Sequence, residues 1–299
     1  MKPNNIIEPG LLPNEADFSD EFFQQFTLRN DKQPLKLSDT ISKDYQFPTL
    51  YGNVTCAIGV FLCDYDKAQA MLPHPKMKPV AMPKGRALVT FSCYEYQKVR
   101  GVAPYNEIAM TIPVMIDPTI NVPVLPMIMD GLFKKFGYYV FHMPVTSLEN
   151  RIRGNDIWGL PKVVDTIDIN VNGGTNNATS KTVATDEKGN EYFSLSVPTS
   201  GKSTAFDVRS NIYSKLNNQL LQSPTQFKAN FNVTKHMDRL WKTGGDDPGV
   251  LTIGKGPYGD MLRNLNIEPQ PFQFRYAAHM NACFDLPNEQ YQAPFAFTG

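Results

Sequence analysis

Tyr105-Asn106-Glu107-Ile108-Ala109-Met110-Thr111-Ile112-Pro113-Val114 decides the fold class. From Asn106 to Ile116 the residue character alternates clearly, with Ile108, Met110, Ile112 and Val114 on one side and Glu107, Ala109 and Thr111 on the other. A period of two places successive side chains on opposite faces of a β-strand. Glu107 is the single charge in this run. It reads either as a solvent-facing carboxylate on a half-exposed strand or as an acid or base directed into a pocket of a curved sheet.

The same texture extends in both directions. Val54 to Leu62 reads as a buried strand. In Arg86 to Gln97, Leu88, Thr90, Ser92, Tyr94 and Tyr96 alternate with Ala87, Val89, Phe91, Cys93 and Glu95. Further strands are expected over Tyr138–Val145, Ile167–Val171, Tyr192–Val197, Phe206–Tyr213, Phe227–Val233 and Phe272–Phe284. Asn172-Gly173-Gly174 and Asp186–Asn190, with Gly189, supply hairpin turns. Helices are expected to be short. Asp64 caps one that runs to Met71-Leu72 before Pro73 and Pro75, and Gly137 ends another over Pro126–Phe136. A third spans Asn14–Phe26, with Phe18, Phe22, Phe23 and Phe26 at roughly helical spacing. The fold class is therefore α+β, mainly antiparallel, with a large curved or barrel-like β-sheet and a few short helices. Residues 1–48 read as an N-terminal arm, docked on the body or on a neighbouring subunit, and 49–299 as a single domain.

Composition narrows the function. The 24 prolines among 299 residues, about 8% against a usual ~5%, disfavour a helical bundle. Lys+Arg and Asp+Glu are equal at 29 each, which argues against a protein that binds nucleic acid by neutralising many phosphates. Cys56, Cys63, Cys93 and Cys283 form no metal-binding spacing with the scattered His74, His142, His236 and His279, so no metal site is expected. No apolar run nears the ~20 residues that span a bilayer, and the polar start has no signal core. The expectation is a cytoplasmic protein without membrane or nucleic-acid partners. Gly254-Lys255-Gly256-Pro257-Tyr258-Gly259 matches a dinucleotide fingerprint, but Pro257 removes a backbone donor and no βαβ unit surrounds it. It reads as a turn before a helix over Asp260–Leu265.

The most informative chemistry lies in Arg151-Ile152-Arg153-Gly154-Asn155-Asp156-Ile157-Trp158-Gly159-Leu160-Pro161-Lys162-Val163-Val164. Pro161 stiffens the segment that presents Lys162, and Trp158, Leu160, Val163 and Val164 make an apolar neighbourhood. One reading is a lysine that snorkels from a strand start. The other is a desolvated amine. A free lysine with a pKa near 10.4 is less than ~0.1% neutral at pH 7, and moving it to about 7 takes roughly 4–5 kcal/mol of differential solvation. Such an amine forms Schiff bases with ketones and aldehydes.

Trp158-Gly159-Leu160-Pro161-Lys162, preceded by Gly154-Asn155-Asp156, resembles the lysine motif of the acetoacetate decarboxylase family, and Tyr105-Asn106-Glu107 with Ile112-Pro113-Val114 resembles its second signature. The run from Met261-Leu262-Arg263 to Phe284-Asp285-Leu286-Pro287 is similar to its closing helix and strand, so the resemblance covers roughly residues 50–287. That family is the standard case of an amine activated by a neighbouring cation. The resemblance implies that Lys162 is the Schiff-base lysine, that Glu107 lines the same pocket, and that the protein is a barrel-like homo-oligomer acting on a small keto acid without cofactor. Three positions depart from the family pattern. Val163 stands where a second lysine is found, Ser92 falls where a second pocket glutamate is found, and Phe61-Leu62-Cys63 replaces an arginine. Catalytic Lys162 and Glu107, with Arg151, Arg153, Trp158 and Ser92 around the substrate, form the expected site. The expected reaction is decarboxylation of a β-keto acid such as acetoacetate. The alternatives are aldol condensation and dehydration of a 2-oxo acid such as pyruvate through the same lysine, or a non-catalytic carbonyl- or lipid-binding barrel.

Overall fold

The computed structural model describes residues 1–121, 123–124, 133–174, 177–242 and 249–297. Seven long strands close a barrel: β1 (Thr49–Asp64), β2 (Arg86–Val99), β3 (Tyr105–Ile116), β4 (Phe136–Val145), β5 (Lys202–Leu216), β6 (Gln219–Lys235) and β7 (Pro271–Phe284). Their order around the wall is β4-β5-β6-β7-β1-β2-β3, and β3 then pairs with β4 to complete the ring. Every neighbour pair is antiparallel except β4–β5, which is parallel and joined through Ile212 opposite Tyr138 and Tyr213 opposite Tyr139. The β5–β6 hairpin turns through Asn217 and Asn218, both at positive φ (48° and 60°), a left-handed pair suited to the right-handed twist of the flanking strands.

A second sheet of four strands, Thr166–Asn172, Thr179–Thr185, Glu191–Pro198 and Leu251–Ile253, covers part of the barrel's outer face. Its Phe193 packs on Phe91 of β2 with ring centroids 5.0 Å apart. Asp186 organises one of its hairpins: its carboxylate accepts the N–H groups of Lys188 and Asn190, and Gly189 takes φ +84°. Because of this cover, β3 is buried along both faces. Ile108, Met110, Ile112 and Val114 join the core under the small sheet, while Tyr105 and Ala109 join the second core inside the barrel. The alternation of β3 therefore separates an outer core from the barrel interior, and not core from water.

Four α-helices are present among the described residues: α1 (Glu21–Gln24), α2 (Tyr65–Ala70), α3 (Leu148–Trp158) and α4 (Pro257–Arg263). Asp64 caps α2 by accepting the Lys67 N–H. The helix expected over Asn14–Phe26 is instead a 3₁₀ turn at Glu15–Phe18 followed by α1. Asp20 breaks it by adopting an extended backbone and capping α1 through the Phe22 N–H. The phenylalanines are gathered as expected, since Phe18, Phe22 and Phe23 pack with Leu50 and Cys283 on the barrel. Most of the helix expected over Pro126–Phe136 lies outside the described residues, and its last residue, Phe136, opens β4. The glycine fingerprint is a packing device. A Cβ on Gly254 would lie 1.9 Å from the Glu191 carbonyl oxygen, and one on Gly259 2.0 Å from that of Gly254. Pro257 is the first residue of α4. All four cysteines are buried free thiols. No helix among the described residues is long and apolar enough to cross a membrane.

Candidate active site inside the barrel

Helix α3 and the three-residue strand that follows it present the lysine. Ser147 caps the helix through the Asn150 N–H, and Gly159 closes it in the left-handed conformation, φ 61° and ψ 24°. The Gly159 and Leu160 N–H groups return to the Asn155 and Gly154 carbonyls, which completes the helix C-terminus. Pro161 then sets the chain into the strand Lys162–Val164, parallel to β4, with Lys162 opposite Met143. Asn155 holds the lysine backbone from both sides: its Oδ1 accepts the Lys162 N–H at 3.2 Å and its Nδ2 donates to the Lys162 carbonyl at 3.4 Å.

The lysine side chain lies across Gly154 and reaches the barrel interior. Lys162 Nζ donates to Glu107 Oε2 at 2.5 Å, and Tyr96 donates its hydroxyl to Glu107 Oε1 at 3.2 Å. Lys162 and Glu107 are 8% and 4% exposed, so this ion pair is removed from water. The Tyr105 ring lies 5.7 Å from Nζ. Burial lowers the Lys162 pKa below its ordinary value; Glu107 opposes that shift, and the Arg153 guanidinium adds to it. Burial also pushes the phenols of Tyr94, Tyr96 and Tyr105 well up and that of Tyr51 to about 12, so these groups are neutral hydroxyls.

Lys162, Glu107, Tyr51, Tyr94 and Tyr96 line a cavity of about 120 Å³. Ala109, Val140, Met143 and Leu160 give it apolar walls, and Phe227, Phe231, Met280 and Phe284 continue them. Among the described residues, its only charged members are Glu107, Arg153 and Lys162. Arg153 is 2% exposed. Its Nη1 donates to Asn150 Oδ1 at 2.9 Å, its Nη2 donates to Thr49 Oγ1 at 3.0 Å, and its guanidinium lies 4.3 Å from the centroid of the Tyr45 ring. Its Nε has no hydrogen-bond partner, and no carboxylate among the described residues is at salt-bridge distance. A buried cation lacking a counter-ion is costly, and a carboxylate entering the cavity would relieve it.

The expected site residues divide accordingly. Lys162, Glu107, Arg153 and Trp158 converge on the cavity. Trp158 forms its wall, stacked on Phe284 at 4.9 Å, with its indole N–H donating to the Asp285 carbonyl at 2.8 Å. Ser92 is buried on β2 beside Tyr94 but does not line the cavity, and Arg151 is a partly exposed residue of α3 that does not line it either. Phe61, Leu62 and Cys63 are fully or almost fully buried in apolar cores elsewhere. Sequence reasoning missed the tyrosine set Tyr51, Tyr94, Tyr96 and Tyr105, which the pairing of β1, β2 and β3 brings together. The alternation placing Tyr94 and Tyr96 on one face of β2 was the available signal.

The family model described as acetoacetate decarboxylase (ADC) matches residues 32–234. Solved structures with the same fold include an acetoacetate decarboxylase from Legionella pneumophila, at 15% identity and TM-score 0.50, covering 81% of this chain and 86% of that one. A second acetoacetate decarboxylase is 14% identical, with TM-score 0.52 and coverage of 80% and 87%. The enduracididine biosynthesis enzyme MppR, solved with pyruvate, is 13% identical, with TM-score 0.52 and coverage of 85% and 96%. No curated protein matches the chain.

Proposed function

The chain belongs to the acetoacetate decarboxylase family, and from that membership we propose that it is a Schiff-base-forming enzyme that decarboxylates a small β-keto acid. The observation that carries this reading is the buried Lys162–Glu107 pair, 2.5 Å apart at the wall of an apolar cavity. A nucleophilic amine must be neutral, and burial supplies the bias: in a low-dielectric site the charged pair loses hydration that the neutral pair does not need. A proton passing from Nζ to Oε2 leaves a free amine beside a carboxylic acid.

The amine attacks the keto carbon, forming the C–N bond, and the amine proton moves to the carbonyl oxygen. Glu107 returns its proton to that hydroxyl, water leaves, and an iminium remains. The C–C bond to the carboxylate then breaks. Its electron pair moves into the iminium to give a neutral enamine, and carbon dioxide departs. Cancellation of the iminium and carboxylate charges suits an apolar cavity. A proton from solvent, passed through Glu107, reaches the enamine carbon, and hydrolysis releases the ketone and regenerates the ion pair.

Arg153 supports a second reading. A guanidinium that grips the carboxylate stabilises the ground state and so opposes carboxylate departure. That arrangement suits a 2-oxo acid that keeps its carboxylate while the enamine carbon adds to an aldehyde. Borohydride trapping with acetoacetate, followed by peptide mass spectrometry, tests the shared step, and the expected product is a reduced adduct on Lys162. A folded protein without that adduct, with acetoacetate and with pyruvate, would overturn the Schiff-base reading. Carbon dioxide release from acetoacetate, against condensation of pyruvate with an aldehyde, separates the two reactions.

A further inference from the structure

Glu149 and Arg153 are four residues apart on α3, with the acid N-terminal to the base, which is the favoured orientation for a helical ion pair. They do not pair. Lys43 donates to Glu149 Oε1 at 2.9 Å and Oε2 at 3.0 Å, and the Tyr45 hydroxyl donates to Oε1 at 2.5 Å. Lys43 and Glu149 are 4% and 6% exposed, so this is a second buried pair. The Tyr45 ring occupies the other side of the arrangement, against the Arg153 guanidinium. Two residues of the N-terminal segment thus engage the acid that Arg153 would otherwise hold. The charges at this end of the barrel then balance in a particular way. Glu149 is matched by Lys43 and Glu107 by Lys162, which leaves Arg153 as one uncompensated positive charge beside the cavity.

We propose that Lys43, assisted by Tyr45, is a positioning residue that sequesters Glu149 and so reserves Arg153 for the carboxylate of a monoanionic substrate. This rests on the reading of the cavity as a keto-acid site. If Lys43 is lost, Glu149 is free to turn one helical turn toward Arg153 and compete with the substrate. The effect falls on recognition of the carboxylate and not on imine formation itself, because neither Lys43 nor Tyr45 touches Lys162.

The test is the half-saturating concentration for borohydride trapping on Lys162, measured with acetoacetate and with acetone, which has the carbonyl but no carboxylate. Lys43→Met is expected to weaken acetoacetate about tenfold or more, the scale of one charged hydrogen bond, and to leave acetone within about threefold. Lys43→Met combined with Glu149→Gln removes the competitor and restores acetoacetate binding. Tyr45→Phe deletes one hydrogen bond to Glu149 and is expected to give a smaller loss of the same selectivity. If Lys43→Met does not fold, Tyr45→Phe and the double variant decide. Equal weakening of both probes without rescue in the double variant would show a merely structural role and overturn the proposal. So would unchanged acetoacetate binding in Lys43→Met and Tyr45→Phe while Arg153→Met still loses it. If Arg153→Met itself leaves acetoacetate binding unchanged, the underlying carboxylate assignment fails instead.

Discussion

Gly154→Ala separates the chemistry of the site from the stability of the fold. Gly154 lies inside α3, where alanine in place of glycine ordinarily stabilises a helix by about 1 kcal/mol. A Cβ at this position would lie 2.3 Å from Cδ and 2.5 Å from Cε of Lys162. Carbon atoms in comfortable contact are about 3.5–4.0 Å apart, so the lysine stem must move by roughly 1.2 Å or more. The stem is flexible and the helix is not, so the lysine yields and the fold survives. Nζ then loses its 2.5 Å contact with Glu107 and its line of approach into the cavity. Misplacement of a reacting group by ~1 Å is worth about 10²-fold in rate. The variant should therefore melt at or above the wild-type temperature while the rate of imine trapping on Lys162 falls by about two orders of magnitude. Thermal unfolding and stopped borohydride trapping on one preparation give both numbers. Wild-type trapping in a variant of unchanged stability would refute the claim that the stem is held in its reactive position by the missing Cβ.

Two other perturbations test separate parts of the site and fold. Glu107→Gln should slow imine turnover by about 10²–10⁴-fold through loss of the proton carrier. Because Glu107 holds the lysine pKa up, the same change should move the acid limb of the trapping profile to lower pH, and a shift to higher pH would contradict the assigned coupling. His142 is buried, with its Nε2 unpartnered, and burial lowers its pKa to about 4. The unfolded chain then binds a proton that the folded chain refuses, so stability present above about pH 6.5 is lost as pH falls toward 4. At about 1.36 kcal/mol per unit the loss is at most ~3 kcal/mol. His142→Phe should flatten that part of the pH–stability curve in denaturant titrations at pH 7 and 4.5, and an unchanged slope would exclude His142 as its source.

The strands were largely legible because alternation is a local property. β1, β2, β3, β4 and β7 each declare themselves by period or by an apolar run, and the Asp186 turn by its Asp, Asn and Gly chemistry. β5 and β6 proved longer than their apolar segments, because the hairpin end is set by Asn217-Asn218, whose readiness to adopt positive φ is a signal that apolar patterning overlooks. Helix α3 was hidden for a different reason. Its buried face is Glu149, Asn150, Arg153 and Gly154 with Trp158, so the side turned inward is polar and no hydrophobic period marks it. Only Ser147 at its start and Gly159 at its end betray it.

The site was legible as residues but not as an arrangement. The apolar company of Lys162 and the isolated charge of Glu107 each drew attention, yet their 2.5 Å contact depends on β3 pairing with β4 and on the short strand after Pro161 pairing with β4 in parallel. Arg151 and Arg153 looked equivalent in sequence. Two residues on a helix are about 200° apart, so only one can face the barrel, and it is Arg153. Ser92 shares its strand face with Tyr94 and Tyr96 but stops short of the cavity.

We propose that burial biases Lys162 toward the neutral, nucleophilic amine. The pH dependence of acetoacetate or pyruvate trapping on Lys162, read by peptide mass spectrometry, measures its apparent pKa in the folded protein. The expected midpoint lies below the ordinary lysine value of 10.5. A midpoint at the ordinary value, in a protein shown to be folded across the titration, would contradict it.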